Sequence, residues 1–512
     1  MPDPPARLYA VASPHHAATE AGAAAFAAGG NAVDAALAAA CMLTVVYPHM
    51  CALGGDVMAL VHDGDAHAVN GSGRGPAALP RAGDGPPAAE RGVLTITVPG
   101  AVAAWQTLAE RWGTLPLSVS LEAAAEVAAR GLPVAPSLAG SLAAAPELIA
   151  GDPGLAGVFA PAGVPLREGD SLVQERLAAT LRRLAAEGAE DLYRGEIAAR
   201  LAAGLGAVGC PLDAADLAAH RTDVGPALGA HIGGEQVLTM GANSQGFSLL
   251  QILAAVDALE VEDPLGAGAP LLADVFRESA ADRDRYLADP DAMRRSVESL
   301  LTPEHVAGLA ERAGSGRATG SPRTPPSGDT VAVVAADDRL SVSLIESLFY
   351  GFGSGILEPS TGIILHNRGA CFSADPESPN ARGPGKRPLH TLMPVVVAGD
   401  GGVAWTAGTM GGRAQAQIHA QLLLRRRAGD GAAVAVAAPR FVVGDLRAGG
   451  ADTTVEEDFL PALAAFAGAR MATATVPRWS EQAGHAHVIA RLPADGFEAA
   501  SDPRSDGSAV AS

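Results

Sequence analysis

Apolar residues near the N-terminus follow a helical spacing in two consecutive segments. Ser13-Pro14 places a capping residue before a proline, which is typical of a first helical turn, and Gly29-Gly30 then ends that helix. Asn31 can cap a second helix over residues 32–44, which is apolar nearly all round. Because a surface helix keeps a polar face, we predict that this second helix is buried.

Further along the chain the pattern alternates between short strands and long helical stretches. Two apolar runs, at residues 57–61 and 92–98, are short enough to predict strands. Residues 101–309 are rich in Ala, Leu, Glu and Arg, and Pro or Gly residues interrupt them at intervals where helices would end, which favours a mainly helical region.

The amino-acid composition changes at residues 313–329, where Gly, Ser, Pro and Thr replace the helix formers and predict a flexible segment. Residues 330–335, TVAVVA, and 340–345, LSVSLI, then predict a hairpin of two half-buried strands. A flexible segment that enters a strand directly is typical of an interdomain linker. The threonine at the start of that strand, Thr330, opens a second interpretation.

Composition narrows the class of protein. The chain has 512 residues, 48% of them hydrophobic, which is enough for a large core. A formal net charge of −20 argues against nucleic acid or an anionic membrane as the main partner. The four cysteines form no CxxC pair, and no signal peptide or membrane span is evident, so we expect a cytoplasmic protein. His485 and His487 would share one face of a strand, but no third metal ligand is suggested.

Several motifs, in the same order along the chain, resemble the gamma-glutamyltransferase family. They are residues 18–56, Val98-Pro99-Gly100, Trp112-Gly113-Thr114-Leu115-Pro116, residues 328–337 (GDTVAVVAAD), residues 352–373, Lys386-Arg387-Pro388, Met410-Gly411-Gly412, Ala438-Pro439-Arg440-Phe441 and Ser501-Asp502-Pro503-Arg504-Ser505. The resemblance covers nearly the whole chain.

This resemblance implies an α+β fold, the four-layer αββα sandwich of N-terminal nucleophile hydrolases. It also implies a precursor that cuts itself between Asp329 and Thr330, giving a large subunit, residues 1–329, and a small subunit, residues 330–512. In the family the freed threonine is the nucleophile and its own α-amine is the base, so no cofactor is needed. Ser347 lies where the family places a hydroxyl that hydrogen-bonds the nucleophile. Gly411 and Gly412 match the pair whose amides form the oxyanion hole.

The positions that bind a γ-glutamyl group in the family are mostly altered in this sequence. The residues found at those positions are Phe349, Arg368, Cys371, His390 and Thr391. No acidic group obviously remains to bind an α-ammonium, and Asp56 is interpreted as structural. Arginines bind planar carboxylates bidentately. The positively charged candidates for binding a substrate carboxylate are Arg368, His390, Arg81 and Arg413, of which Arg81 aligns with the family's carboxylate-binding arginine.

These substitutions favour a small carboxylated amide as substrate, and the sequence is most similar to the oxamate amidohydrolase-type branch of the family. Two alternatives stay open at this point. One is a γ-glutamyl hydrolase or transpeptidase acting on glutathione-like compounds, and the other is a non-catalytic relative that binds a small acid. The expected partners are the small-molecule amide and the chain's own two subunits, with no nucleic acid and no membrane. Self-association into a homodimer is left open.

Overall fold

The computed structural model describes residues 8–84, 89–316, 329–399, 401–444, 451–493 and 496–512. Within these residues the helices are α1 His16–Ala27, α2 Ala32–Val46, α3 Ala101–Trp112, α4 Leu117–Arg130, α5 Pro136–Ala144, α6 Pro146–Gly151, α7 Pro153–Phe159, α8 Glu175–Glu187, α9 Asp191–Arg194, α10 Glu196–Ala207, α11 Ala214–Ala219, α12 Gly246–Ala258, α13 Ala269–Tyr286, α14 Pro303–Gly314, α15 Gln415–Arg427, α16 Ala432–Ala437 and α17 Leu460–Gly468.

The strands of the same residues are β1 Tyr9–Ser13, β2 Asp56–His62, β3 Ala66–Asn70, β4 Leu132–Pro133, β5 Ser171–Leu172, β6 Asp223–Pro226, β7 Leu228–Ile232, β8 Glu235–Thr239, β9 Asp329–Asp337, β10 Ser341–Phe349, β11 Leu357–Glu358, β12 Ile363–Ile364, β13 Val395–Gly399, β14 Gly402–Thr409, β15 Phe441–Val443, β16 Thr453–Glu456, β17 Thr473–Val476, β18 Ala486–Leu492, β19 Gly496–Ser501 and β20 Ser508–Ala511.

The two N-terminal helices form as the sequence predicts, with one difference at the first cap. Helix α2 is capped by Asn31, whose side chain accepts from the amides of Val33 and Asp34, and all of its residues are buried. Helix α1 begins later than expected: its cap is His15, because Ser13 belongs to strand β1 and its hydroxyl is bonded to Thr19.

Two antiparallel sheets form the centre of the molecule. The seven-stranded sheet has the order β20-β1-β9-β10-β2-β3-β6, and the six-stranded sheet has the order β19-β18-β14-β13-β8-β7. The predicted hairpin is β9 and β10, which pair from Ser341↔Ala336 to Ser347↔Thr330. Its strands are buried on both faces, not half-buried as the sequence predicts, because helices cover one face and the second sheet covers the other. It lies in the middle of the seven-stranded sheet, with β1 on one side and β2 on the other.

Apolar clusters fill the spaces between four layers. Alternate residues of β9 and β10, such as Val333 and Leu344, pack against α2 and its neighbouring helices. The residues between them, such as Ala332 and Ile345, face the second sheet and pack against Leu238 of β8 and other strands. The outer face of the second sheet is covered by α12, α15 and α16. This is the αββα sandwich that the sequence predicts.

Two sequence expectations meet a different structure. Residues 92–98 contain a 3-10 helix, Val93–Thr95, instead of a strand, because the Thr95 hydroxyl bonds the Gly92 carbonyl and closes a tight turn. The segment predicted to be flexible, residues 313–329, is only partly described. Its first two residues complete helix α14 and its last, Asp329, begins β9, while residues 317–328 lie outside the described residues. No helix of the described chain is long and apolar enough to cross a membrane.

Candidate active site

The start of β9 places a threonine hydroxyl, a serine hydroxyl and a backbone carbonyl in one short network. Thr330 Oγ1 lies 3.0 Å from Ser347 Oγ, and Ser347 Oγ donates to the carbonyl oxygen of Asp329 at 2.8 Å. Since a hydroxyl has one proton, the Ser347 oxygen serves as acceptor for Thr330 and for the Phe349 amide, which is 2.8 Å away. Ser347 therefore polarises the peptide bond that precedes Thr330.

Strand register extends this network to a third strand. Ser347 is paired with Thr330 of β9 on one side and with Asp56 of β2 on the other. Residues directly opposite each other in antiparallel strands point to the same face, so the three side chains lie in one row on the face that looks toward the second sheet. All three are fully buried.

Asp56 is the centre of a buried ionic cluster. Its Oδ2 atom accepts from Arg368 Nε at 2.9 Å and from His390 Nε2 at 3.0 Å, and His366 Nδ1 lies 3.1 Å from the same oxygen. Burial by itself would raise the pKa of Asp56, but His366 and His390 hold it well below its usual range. Burial and the Arg368 charge lower the pKa of His390 to about 4, so His390 is neutral near pH 7.

Arg368 connects this cluster to the other predicted substrate residues. Its Nη1 atom donates to Thr391 Oγ1 at 3.0 Å and lies 3.8 Å from Cys371 Sγ. Its guanidinium carbon is 4.7 Å from the centre of the Phe349 ring, a cation–π arrangement. The Nη2 atom is buried and has no hydrogen-bond partner among the described residues. One edge of a buried arginine fork is thus available to a ligand.

The paired glycines follow strand β14 and have backbone conformations that suit glycine. Gly411 has φ 144° and Gly412 has φ 53°. Gln245 links them to the Arg368 cluster, because its Nε2 atom donates to the carbonyl of Thr391 at 2.8 Å and to that of Gly412 at 2.9 Å. The hydrogen bonds therefore run continuously from Arg368 through Thr391 and Gln245 to the glycine pair.

The structure does not bring every predicted residue to this cluster. Arg81 is exposed, with Lys386 as its charged neighbour, whereas Arg368 is fully buried. Arg413 lies 3.4 Å from Asp284, to which its side chain is paired. His485 and His487 are buried with ring centres 5.3 Å apart, and no group of acidic, histidine or cysteine residues in the described chain is arranged to hold a metal ion.

Sequence reasoning missed three residues of the site. The sequence favours a structural role for Asp56, yet the structure places it beside Ser347, in the row that ends with Thr330, so an acidic group does remain near the site. The sequence gives no signal for His366 or Gln245, because one histidine and one glutamine form no pattern on their own. A signal was present for Asp56: it ends the glycine turn Gly54-Gly55 and begins a buried strand, where an unpaired charge is costly.

The αββα sandwich, with a threonine at the start of a central strand beside a serine hydroxyl, is the architecture of the N-terminal nucleophile hydrolase class of enzymes. The comparisons with known proteins agree. The family described as Gamma-glutamyltranspeptidase matches residues 18–512. The chain belongs to this family.

Individual relatives span nearly the whole chain. The oxamate amidohydrolase proenzyme of Klebsiella pneumoniae subsp. pneumoniae is 36% identical over 97% of this chain and 97% of its own length. The glutathione hydrolase proenzyme of Escherichia coli is 30% identical over 84% of this chain and 80% of its own length. The crystal structure of cephalosporin acylase from Bacillus halodurans has a TM-score of 0.91 and 32% identity, covering 100% of this chain and 99% of that one. Such relatives indicate an amidohydrolase or a transpeptidase.

Proposed function

We propose that this protein is a proenzyme that cleaves itself between Asp329 and Thr330 and then hydrolyses a small amide carrying a carboxylate. The observation that carries the proposal is the contact of Ser347 Oγ with both Thr330 Oγ1, at 3.0 Å, and the Asp329 carbonyl, at 2.8 Å. The proenzyme names of relatives in Klebsiella and Escherichia support the processing step.

Self-cleavage would begin with attack of Thr330 Oγ1 on the carbonyl carbon of Asp329. The Thr330 hydroxyl proton passes toward Ser347, whose own proton is already directed at the carbonyl oxygen where negative charge develops. The bond between the Asp329 carbon and the Thr330 nitrogen breaks, and the nitrogen takes the proton. Water then hydrolyses the resulting ester, which leaves Thr330 with a free amine and Asp329 with a carboxylate.

Turnover would repeat the same chemistry on an external amide. The α-amine of Thr330, with an ordinary pKa of about 8, removes the proton from its own Oγ1 as that oxygen attacks the amide carbon. Amides of Gly411 and Gly412 hold the oxyanion, and ammonia or an amine leaves with the proton. Water attacks the acyl ester, releases the acid and regenerates Thr330.

The substrate class follows from the unfilled edge of Arg368. A buried guanidinium nitrogen without a partner costs free energy, and a planar carboxylate satisfies it. Thr391 and Phe349 hold the guanidinium from two sides, and Asp56 holds it from a third. An oxamate-like acid amide suits this arrangement, in line with the name of the Klebsiella relative.

A γ-glutamyl substrate is the second candidate, favoured by Asp56, which could receive an α-ammonium group. Arg368 Nε and His390 Nε2 already bond Asp56 Oδ2, and His366 Nδ1 lies 3.1 Å from the same atom, leaving only Oδ1, which is buried without a partner among the described residues. An ammonium there would have to share the carboxylate with Arg368. Because Arg368 already neutralises Asp56, an acid without a free amine suits this site better than a γ-glutamyl group. The third option, a non-catalytic acid-binding relative, predicts an intact chain.

One set of measurements tests the proposal. Purified protein should give two fragments on a denaturing gel, and mass spectrometry should find the smaller one beginning at Thr330. Thr330→Ala should remain a single chain, and Thr330→Ser should still cleave, more slowly. The processed enzyme should release ammonia from oxamate faster than it releases aniline dye from a γ-glutamyl anilide. A different new N-terminus in active enzyme, or the reverse substrate preference, would refute the corresponding half of the proposal.

A further inference from the structure

The turn that follows β10 has a backbone conformation that is uncommon for large side chains. Phe349 has φ 80° and Phe352 has φ 60°, both in the left-handed region that favours glycine. Such a conformation persists only where the surrounding structure holds it. The Phe349 amide donates to Ser347 Oγ at 2.8 Å, and the Phe352 amide donates to the carbonyl of His49 at 2.8 Å. The turn is therefore held at several points along its backbone.

Arg91, which lies 260 residues earlier in the chain than Gly351, closes this turn. Its Nη1 atom donates to the carbonyl of Gly351 at 2.6 Å and to that of Gly353 at 2.5 Å, on either side of Phe352. Its guanidinium carbon is 5.7 Å from the centre of the Tyr350 ring, within the range of a cation–π contact. One planar cation thus holds both the backbone of the turn and one of its rings.

Ring contacts connect Arg91 to the guanidinium that is proposed to bind the substrate acid. The Tyr350 ring stacks on the Phe349 ring, with centres 4.3 Å apart and planes 22° apart. The guanidinium carbon of Arg368 lies 4.7 Å from the centre of the Phe349 ring. The four side chains therefore form one continuous chain of contacts. Both rings are buried in a close-packed interior, so a shift of one ring displaces its neighbours.

A second route ties the same segment to the residue before Arg368. Asn367 is fully buried: its Oδ1 atom accepts from the Tyr350 amide at 3.0 Å, and its Nδ2 atom donates to the carbonyl of Glu90 at 2.6 Å. Both routes end at Arg368. The position of this guanidinium therefore depends on residues 90–91, which belong to the larger of the two predicted subunits, whereas Arg368 belongs to the smaller one.

We infer that Arg91 is a positioning residue for substrate recognition, which acts by holding the Arg368 guanidinium in the orientation that receives the carboxylate. This rests on the proposed function, because it assumes that Arg368 binds the acid. A bidentate pair between a guanidinium and a carboxylate depends on the geometry of the fork, so a small displacement of Arg368 weakens binding of the acid. Loss of Arg91 should therefore act on the substrate through Arg368.

A double-mutant cycle on processed, folded enzyme tests this coupling. Arg91→Met removes the guanidinium and keeps an unbranched side chain against Tyr350. It should lower kcat/KM for oxamate roughly threefold to thirtyfold, mainly by raising KM, as expected for residues coupled through shared contacts. In an Arg368→Gln background the same change should have almost no further effect, because the group that Arg91 positions is already gone. Arg111→Met is the control, since Arg111 is exposed and lies over the Trp112 ring, outside the site.

Tyr350→Leu covers the case in which Arg91→Met does not fold. It removes the middle ring but leaves the bonds of Arg91 to the turn carbonyls, and it should lower kcat/KM for oxamate only when Arg368 is present. An equal loss in both backgrounds would show that Arg91 supports the fold alone. That result, or unchanged kinetics in the single variants, would overturn the inference and leave acid-amide hydrolysis intact. If Arg368→Gln alone changes nothing, or no acid amide is hydrolysed, the proposed substrate class is wrong and this inference fails with it.

Discussion

At the scale of single residues, the site combines groups whose roles depend on their neighbours. Arg368 is an arginine in a loop by sequence, but in the structure it is a buried fork held by Asp56, Thr391 and the Phe349 ring. Phe349 adopts φ 80°, an uncommon conformation for a large side chain, which is consistent with a position constrained by the site. Because Arg368 is also the ion-pair partner of buried Asp56, substitutions there should affect stability as well as substrate binding, and their kinetics are to be measured on protein shown to be folded.

Arg368→Gln is the sharpest test at this scale, because glutamine can still donate a hydrogen bond to Asp56. We expect the loss of a charge-assisted hydrogen bond to raise the transition-state free energy for an acid amide by about 1.5 to 3 kcal/mol, which lowers kcat/KM roughly 10-fold to 160-fold. Self-cleavage should continue, because it uses the Asp329 carbonyl and no substrate carboxylate. Arg81→Ala is the control: that side chain is exposed, so steady-state kinetics should change little. An equal loss of kcat/KM in both variants would show that the substrate carboxylate does not bind at Arg368.

At the scale of elements, strand β10 presents chemistry on one face and core on the other. Ser347 faces the second sheet, while its neighbour Glu346 faces α2, where its carboxyl oxygens are buried with no partner among the described residues. Burial holds the pKa of Glu346 well above its usual value of 4.5. Glu346 therefore keeps its proton to a higher pH in the folded protein than in the unfolded chain.

The sign of the pH effect follows from this difference. Because the folded state keeps a proton that the unfolded state loses, Glu346 lowers the free energy of unfolding as pH rises above about 4.5, by about 1.4 kcal/mol per pH unit, until the folded-state pKa is reached. Glu346→Gln should therefore raise the melting temperature at pH 8 and change it little at pH 4.5. Calorimetry at both pH values measures the melting temperature. Glu126→Gln is the control, because the Glu126 side chain is exposed. The same shift at both pH values would contradict the assignment.

At the scale of the whole molecule, the two predicted subunits share their sheets. Strand β1 lies between β20 and β9, and β10 pairs with β2 from Ser341↔His62 to Ser347↔Asp56. In the second sheet, β13 pairs with β8. Residues 1–329 and 330–512 therefore contribute neighbouring strands to both sheets. Cutting the chain before Thr330 leaves these strand pairs in place.

Cleaved protein should accordingly stay together as one body. Size exclusion under native conditions should give one peak that contains both fragments and elutes with uncleaved Thr330→Ala protein, since the strand pairs and the core survive cleavage. Denaturant should separate the fragments. Two native peaks would show that the shared sheets do not hold the subunits. The absolute elution volume will also report whether a homodimer forms.

The sequence by itself determined the local elements and the class of protein. Two short apolar segments from Thr330 onward predicted the central hairpin, and the Asn31 cap with the apolar run after it predicted a buried helix. Ordered motifs predicted the family and its sandwich. These signals are local, since they depend on strand and helix periodicity and on short motifs. Candidate residues with a motif, such as Ser347 and Gly412, could be named in the same way.

Only the tertiary structure decided how the charged residues are partnered. The positive charges at Arg368 and His390 suggested a cationic cluster, but β2, lying some 290 residues earlier in the chain than β10, brings Asp56 to both of them and cancels one charge. The same folding leaves Arg81 exposed and places His366 between Thr97 and Asp56. Charge balance in a buried site depends on residues far apart in the chain, whose side chains meet only when strands pair in register, and a single sequence carries no local pattern for such contacts.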